Sequence, residues 1–235
     1  MRKIRMAFLN GYMVFSLIAL AVWLAVFLIR DNLRGEMLLV SAFTMPFGLT
    51  EPLFVPVYWH PPSLFNLAAT TGFDIESLIF SFAVGGLGAM LYEVFFRSGH
   101  VRIGRHEMHN PRHRLHLLAI ISPFAAFGLL HVFTKLNPIY SASIAMLIGG
   151  IATMLCRPDL TKRVLVGGFL FFAMYFVFFL AFVSVYPYAV ESYWNLSALS
   201  GILLLGIPIE ELIFSFTFGM MWSSVYEHVN WYRNK

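Results

Sequence analysis

Long apolar stretches separated by short polar loops dominate the chain. Seven hydrophobic segments are each long enough to cross about 30 Å of hydrocarbon as a helix. They cover roughly residues 7–29, 36–56, 74–96, 115–134, 139–156, 164–187 and 205–227. The first segment is too long for the apolar core of a signal peptide, and Arg30 and Asp31 after it do not form a small-residue cleavage site. The pattern therefore predicts an all-α integral membrane protein with seven transmembrane helices.

Part of this pattern occurs twice. Residues 74–93 read DIESLIFSFAVGGLGAMLYE and residues 208–227 read PIEELIFSFTFGMMWSSVYE, with ten of twenty positions identical. The two copies are 134 positions apart. Subtracting 134 from the residue numbers places the sixth and seventh segments on the second and third, and the fifth segment roughly on the first. Because a three-helix unit ends on the opposite side of the membrane, a second copy in the same orientation needs one extra helix. We expect a single membrane domain of two parallel three-helix repeats, 7–96 and 139–230, joined by a linker helix at 115–134 (3+1+3).

Lysine and arginine residues are distributed unequally between the two sides of this arrangement. Twelve fall on one side: Arg30, Arg34, Arg97, Arg102, Arg105, Arg112, Arg114, Arg157, Lys162, Arg163, Arg233 and Lys235. Four fall on the other: Arg2, Lys3, Arg5 and Lys135. Since basic loops stay in the cytoplasm, the amino terminus is predicted to lie outside and the carboxyl terminus in the cytoplasm. The net charge of +4 then reflects topology and contact with lipid headgroups, and we expect no nucleic-acid partner.

Composition limits the metal chemistry that is available. Cys156 is the single cysteine, which excludes an internal disulfide and a multi-cysteine metal site. Residues 100–116 contain five histidines, of which His106 and His109 could share a helical face and bind a metal. Only Glu107 is a nearby carboxylate and several arginines crowd the loop, so a basic loop that contacts headgroups is favoured. We expect no metal ion.

Acidic residues inside apolar segments are the main candidates for function. Glu76 and Glu210 are equivalent positions in the first turns of the two repeated helices, behind Asp74 and Pro208. One interpretation is structural, because the helix dipole favours a negative charge there. The other follows from the repeat: the two acids lie at one depth and face a common cleft. In an apolar pocket, desolvation would raise the pKa of at least one of them and make it a proton donor at neutral pH.

Further residues complete this candidate site. Glu211 follows Glu210 and can tune the second copy, whereas Glu51 lies beside a proline in the second segment and has no repeated counterpart. Glu51 is either a site residue or part of a proline-induced helix break. Phe80 and Phe214 lie one turn beyond the paired acids on the same helix face. We expect both, together with Asp74, to contact a substrate.

The loops 57–73 and 188–204 differ from the others because they contain neither lysine nor arginine. They share a second, weaker match, Tyr58-Trp59 against Tyr193-Trp194. Tyrosine and tryptophan are enriched at the level of the lipid headgroups. We therefore predict that these tyrosines and tryptophans lie at the headgroup level. The two loops that contain them would then be interfacial or re-entrant segments.

Several chemistries are excluded by residues that the sequence lacks. It has three aspartates and no paired-aspartate motif for Mg²⁺-diphosphate chemistry. No lysine lies in the middle of a segment, which argues against a retinal Schiff base. A glycine-rich dinucleotide motif is also missing. We therefore expect no cofactor, and either acid–base chemistry on a lipid-soluble molecule or no chemistry at all.

Residues 206–214, GIPIEELIF, resemble the Pro-x-Glu-Glu signature of the integral-membrane lycopene cyclases. The duplicated three-helix units with a linker helix also look like the fused form of that family. The resemblance implies that membrane-embedded acids protonate a terminal double bond of a linear carotenoid, after which the ring closes and a proton is lost. It implies that Glu210 is the catalytic acid with Glu211 in support, and Glu76 follows only through the internal repeat.

These observations lead to two hypotheses about function. The first is a lycopene cyclase-like isomerase that acts on a lipid-soluble polyene or isoprenoid, with Glu210, Glu76, Glu211 and Glu51 as catalytic candidates. The alternative uses the same cavity between repeats without chemistry, as a lipid- or carotenoid-binding membrane protein or a proton-coupled transporter. Membrane lipid is a partner under both hypotheses.

Overall fold

The computed structural model describes residues 11–108 and 110–234, apart from the side chains of Arg105, Arg112 and Asn234. Some residues used above lie outside this described part of the chain. They are Arg2, Lys3, Arg5, residues 7–10, His109 and Lys235.

Of the described residues, 78% are helical. Its α-helices are α1 Gly11–Ile29, α2 Arg34–Thr44, α3 Leu67–Thr71, α4 Ile75–Phe96, α5 Arg105–Met108, α6 His116–Phe133, α7 Pro138–Cys156, α8 Thr161–Val185, α9 Ala189–Tyr193, α10 Ile209–Trp222 and α11 Val225–Asn230. Strand β1 (His100–Arg102) pairs antiparallel with β4 (Tyr232–Asn234), and β2 (Leu203–Leu204) pairs antiparallel with β3 (Ile207–Pro208).

Within the described residues, five helices are long and apolar enough to cross a membrane: α1, α4, α6, α7 and α8. They match the first, third, fourth, fifth and sixth predicted segments. Large apolar side chains project outward from them, and on α6 Leu129, Val132 and Phe133 are 58%, 70% and 78% exposed. Apolar exposure along a whole helix is unfavourable in water and suits lipid. The chain is thus an all-α membrane protein, as predicted.

The second predicted segment, 36–56, is interrupted. Helix α2 ends at Thr44 and a 3₁₀-helix, Met45–Leu53, continues the chain. Pro46 and Pro52 lack the N–H group that an α-helical hydrogen bond requires, which explains the change of geometry. Glu51 therefore lies in the 3₁₀-helix, beside the break that its neighbouring proline predicts.

The seventh predicted segment, 205–227, is divided as well. Strand β3 takes up its start, and α10 runs for 14 residues before α11 begins at Val225. The paired acids Glu210 and Glu211 lie in the first turn of α10.

The chain divides into two compact units. The first contains Met1–Leu87 and Phe176–Glu211, and the second contains Gly88–Tyr175 and Leu212–Lys235. Both predicted repeats contribute residues to each unit.

In the first unit, small residues allow α1 and α2 to pack closely on α4. A Cβ atom on Gly85 would lie 2.2 Å from Thr44 Oγ1, and one on Gly86 would lie 2.2 Å from Ser41 Oγ. The indole N–H of Trp23 donates to the same Ser41 hydroxyl at 2.8 Å. These helices can approach because positions 85 and 86 carry no side chain.

In the second unit, α6 packs along α7, and a buried ion-pair cluster joins α4, α8 and α11. The Arg163 guanidinium contacts the carboxylates of Glu93 and Glu227, the latter at 2.8 Å. His100 Nε2 lies 3.1 Å from Glu93 Oε1 and 2.6 Å from Glu227 Oε1. The two glutamates occupy equivalent positions of the repeated sequence, and one arginine pairs with both.

Candidate functional site

A buried acid cluster, which we call the Glu51 group, forms at the start of α4 from Tyr12, Glu51, Asp74 and Ser77. Asp74 caps the helix, since its Oδ1 accepts the backbone N–H of Ser77 at 2.6 Å. The Ser77 hydroxyl donates to Glu51 Oε2. The Tyr12 hydroxyl lies 2.8 Å from Ser77 Oγ, and because the serine proton is directed to Glu51, Tyr12 is the donor of this bond. A directed chain of hydroxyl groups therefore leads to Glu51.

A glycine brings Glu51 up to this helix. A Cβ atom on Gly48 would lie 2.7 Å from the backbone carbonyl of Ser77, so a larger residue would push the 3₁₀-helix away from α4. Glu51 is 5% exposed and Asp74 is 1% exposed. Glu51 Oε1 and Asp74 Oδ2 are buried without a hydrogen-bond donor among the described residues. Ser77 binds both carboxyl groups, Asp74 through its N–H and Glu51 through its hydroxyl, so the two acids lie close together and one shared proton would give both a partner.

Glu76 and Glu210 make equivalent contacts in the two repeats. Glu76 Oε1 accepts the backbone N–H of Leu64 at 2.7 Å, and Glu210 Oε1 accepts the backbone N–H of Ser200 at 2.8 Å. Both side chains are almost fully buried. Each acid thus holds the loop that precedes its own helix. These contacts favour the structural interpretation of the pair, and its catalytic role stays a prediction.

Glu211 belongs to a second polar cluster, the Glu211 group, with Tyr58 and Trp194. The Tyr58 hydroxyl and the Trp194 indole N–H both donate to Glu211 Oε1, the indole at 2.9 Å. All three side chains are buried. Hydrogen bonds to a carboxylate are stronger than those between neutral groups, so two donors on one oxygen stabilise a charged Glu211.

The dipeptides 58–59 and 193–194 pair with each other as a short antiparallel bridge. The His60 N–H donates to the carbonyl oxygen of Tyr193 at 2.7 Å. The Asn195 N–H donates to the carbonyl oxygen of Tyr58 at 2.9 Å. Adding 135 to residues 58 and 60 gives residues 193 and 195, so the two hydrogen bonds join equivalent positions of the two copies. Such reciprocity is the pattern that a two-fold axis produces.

Three of these aromatic residues pack inside the protein, and their depth in the membrane stays a prediction. Tyr58, Tyr193 and Trp194 are 4%, 3% and 5% exposed. Burial raises the pKa of Tyr193 to about 12, with a smaller contribution from Tyr186. The loops that carry these residues fold inward because the dipeptides pair with each other and bind Glu211.

Aromatic rings connect the Glu51 group with the Glu211 group. The Trp59 ring lies 4.6 Å from that of Tyr12 and 5.5 Å from that of Trp194, measured between centroids. Phe80, a predicted substrate contact, lies 5.5 Å from Phe15 and 6.4 Å from Tyr12. Both polar groups therefore border one aromatic wall within the first unit.

The other predicted aromatic contact is placed differently. Phe214 lies in the second unit and stacks on Phe218 at 6.0 Å. Tyr12, Ser77 and Trp194 were not predicted as site residues. The repeated Tyr-Trp dipeptide was the available signal for the tryptophan, whereas Tyr12 and Ser77 carry no local signal that sets them apart.

Comparison with known proteins finds a match to one family model over part of the chain. The family model described as Lycopene cyclase matches residues 137–229. The matched range contains Glu210 and Glu211, whereas Glu51 and Asp74 lie outside it. No curated protein and no solved structure matches the chain.

Proposed function

Because a model of the lycopene cyclase family matches residues 137–229, we propose that the chain cyclises a carotenoid or polyprenyl lipid by acid catalysis within the membrane. A proton adds to a terminal C=C bond of the polyene, and a neighbouring C=C bond attacks the resulting cation to close the ring. A ring proton then leaves and a new double bond forms. One proton enters and one leaves, so the product is an isomer and the reaction consumes no oxidant or reductant.

The observation that carries this proposal is the buried pair of Glu51 and Asp74, which both bind Ser77. Two buried carboxyl groups that share a proton present an acid to an apolar substrate, since the second carboxylate stabilises the first after transfer. The hydroxyl chain from Tyr12 through Ser77 offers a route by which the proton is replaced. We assign proton donation to Glu51, with Asp74 as its partner.

Glu211 suits the opposite role. Its carboxylate is held by Tyr58 and Trp194, and a fixed negative charge stabilises a cation and accepts the departing proton. Glu76 and Glu210 then position the loops that precede α4 and α10. The family resemblance supports a competing assignment, with Glu210 as donor and Glu76 as its partner, and the variants below separate the two.

The aromatic wall fits the charge of the intermediate. A cation over the face of an aromatic ring, within about 6 Å, is stabilised by roughly 0.5–2 kcal/mol per ring. The rings of Tyr12, Phe15, Trp59 and Phe80 lie in mutual contact beside the Glu51 group. We propose that they line the path of the polyene.

We also propose the architecture of seven spans in two parallel repeats around a linker helix. The reciprocal hydrogen bonds between dipeptides 58–59 and 193–194 support it, because equivalent residues meet across one axis. The matching loop contacts of Glu76 and Glu210 support it as well. A two-fold axis along the membrane normal places both acids at the same depth.

The test is expression in bacteria that accumulate lycopene, with the pigments separated by chromatography. We expect monocyclic or bicyclic products from the wild type. Glu51→Gln should lower product formation by about 10²-fold or more, as loss of a general acid does. Glu191→Gln, at an exposed position on α9, is the matched control and should keep wild-type activity.

The outcomes separate the assignments. Loss of product in Glu210→Gln with full activity in Glu51→Gln would move proton donation to Glu210. A wild type that copurifies with lycopene but does not convert it would favour a binding protein. Failure to convert or bind lycopene or shorter polyprenes would overturn the proposed function.

A further inference from the structure

We propose that the second unit contains a structural zinc site formed by His113, His116, Cys156 and His228. The residues come from three places in the chain. His113 lies in the 3₁₀-helix Pro111–Leu115 directly before α6, and His116 begins α6. Cys156 ends α7, and His228 lies on α11. One potential ligand atom from each of His116, Cys156 and His228 lies within 4.8 Å of the other two.

The distances fit a tetrahedral metal. Zn–N bonds of about 2.0–2.1 Å and Zn–S bonds of about 2.3 Å place neighbouring ligand atoms roughly 3.3–3.8 Å apart. Cys156 Sγ lies 3.5 Å from His116 Nδ1 and 3.8 Å from His113 Nδ1. The ring centroids of His116 and His228 are 4.6 Å apart. His116, Cys156 and His228 present three ligand atoms around one point, and His113, whose Nδ1 lies near the same sulfur atom, would complete the set after a side-chain adjustment.

His228 is held as a metal ligand would be. Its Nδ1 lies 3.1 Å from Thr153 Oγ1, which fixes the ring, and its Nε2 is buried without a hydrogen-bond partner among the described residues. The side chain is 3% exposed. The buried Nε2 atom is therefore the one that can bind a metal.

The positive charge of Arg157, near the proposed site, is already paired with an acid. Arg157 donates two hydrogen bonds to Asp159, at 2.9 and 2.7 Å, and a third to the carbonyl oxygen of Tyr232. Its guanidinium also lies over the Trp231 ring, 5.8 Å from the centroid. Because its charge is paired, Arg157 repels a divalent cation less strongly than an unpaired arginine would.

A second cluster with similar spacing shows the contrast. Glu93, His100 and Glu227 also present ligand atoms within 4.8 Å of one another. The Arg163 guanidinium already binds both glutamates there, so the cluster is a completed ion-pair network. Among the described side chains, no cation binds the ligand atoms of the histidine and cysteine cluster in this way.

The ligand types identify the ion. Three imidazole nitrogens and one thiolate suit Zn²⁺, whereas Mg²⁺ and Ca²⁺ prefer oxygen. Four protein ligands leave no open position for a substrate, which is typical of structural zinc. The ion would join the loop before α6, the end of α7 and α11, and so stabilise the cytoplasmic end of the predicted topology.

The experiment uses the full chain purified in detergent without a polyhistidine tag. Elemental analysis should find roughly one zinc per chain. Cobalt added to the metal-free protein should produce visible bands with a thiolate charge-transfer component. Cys156→Ser should abolish that component and His228→Asn should lower the zinc content to background. His106→Asn, at an exposed histidine of the same loop, should retain both signals.

A conservative variant tests the positioning of His228. Thr153→Val should weaken zinc affinity by about 10–100-fold in competition with a chelator, with unchanged circular dichroism. If a ligand variant does not fold, the zinc content and cobalt spectrum of the wild type still decide the matter. A wild type without stoichiometric zinc and without a sulfur-to-cobalt band would overturn the proposal. So would zinc binding that survives Cys156→Ser and is lost in His106→Asn.

Discussion

Single residues in this apolar chain are satisfied by specific partners. Arg163, which is fully buried, also donates to the carbonyl oxygen of Ala89 at 3.1 Å and lies 5.2 Å from the centroid of the Tyr92 ring. Its bonds to Glu93 and Glu227 make it the counter-charge of two acids that the sequence repeat placed at equivalent positions. Buried ions of this kind are costly to leave unpaired.

Removing the arginine charge should therefore destabilise the protein strongly. We expect Arg163→Gln to lower the free energy of unfolding by about 3–5 kcal/mol, because two buried glutamates lose their counter-charge. Thermal unfolding in detergent measures the change. Lys162→Gln, at the exposed neighbouring position, should stay within about 0.5 kcal/mol of wild type. Equal stability of the two variants would contradict the importance of the cluster.

Tyr193 should produce a pH dependence at high pH. Its pKa in the folded protein is about 12 because of burial, and that of an unfolded tyrosine is about 10. The folded state thus binds more protons between these values, so stability is complete below about pH 10 and declines as the pH rises towards 12. Unfolding midpoints measured from pH 8 to 12 should show a decline that Tyr193→Phe reduces. An identical decline in the variant would show that other groups cause it.

At the scale of elements, helix contacts depend on positions without side chains. Gly86 of α4 faces both Ser41 of α2 and Trp23 of α1, where a Cβ atom would lie 2.2 and 2.4 Å from their polar atoms. Gly48 has the same function between the 3₁₀-helix Met45–Leu53 and α4. The Glu51 group exists because these glycines permit close contact.

A matched pair of glycine variants tests this arrangement. Gly86→Ala should destabilise the protein by about 1–3 kcal/mol, because the added methyl group overpacks the contact. Gly128→Ala on α6 adds the same methyl group where a Cβ atom would meet nothing within 4 Å, and should be neutral or slightly stabilising. Thermal unfolding distinguishes them, and a neutral Gly86→Ala would show that the helices can separate without cost.

At the scale of the whole molecule, the asymmetry of charged loops sets the orientation in the membrane. The amino terminus is predicted outside and the carboxyl terminus in the cytoplasm, because twelve basic residues fall on one side and four on the other. This orientation places Lys135 outside and Asp159 in the cytoplasm.

Reporter fusions in bacteria measure that orientation. Alkaline phosphatase, which folds only outside the cytoplasm, should be active when fused after Lys135 and inactive when fused after Asp159. Green fluorescent protein at the carboxyl terminus should fluoresce. The reverse pattern would invert the topology and place Glu51 and Glu210 near the cytoplasmic side.

The sequence by itself determined the membrane class, most of the long helices, the duplicated segment and the resemblance to a family. These properties depend on hydrophobic length, local spacing and short motifs, which the chain order contains directly. It also located Glu51 beside a helix break and Asp74 at a helix start. Pro52 predicted that the second segment would be interrupted. It did not predict that α2 would end at Thr44 or how long the 3₁₀-helix would be.

Only the tertiary structure decided which side chains meet. Ser77 reaches Glu51 across 26 positions, and Tyr58 reaches Glu211 across 153. Contacts of that separation depend on how helices and loops pack, and hydrophobic periodicity does not specify them. For the same reason the metal site that the sequence analysis considered and disfavoured used His106 and His109 of one loop, whereas folding brings His116, Cys156 and His228 together from distant parts of the chain.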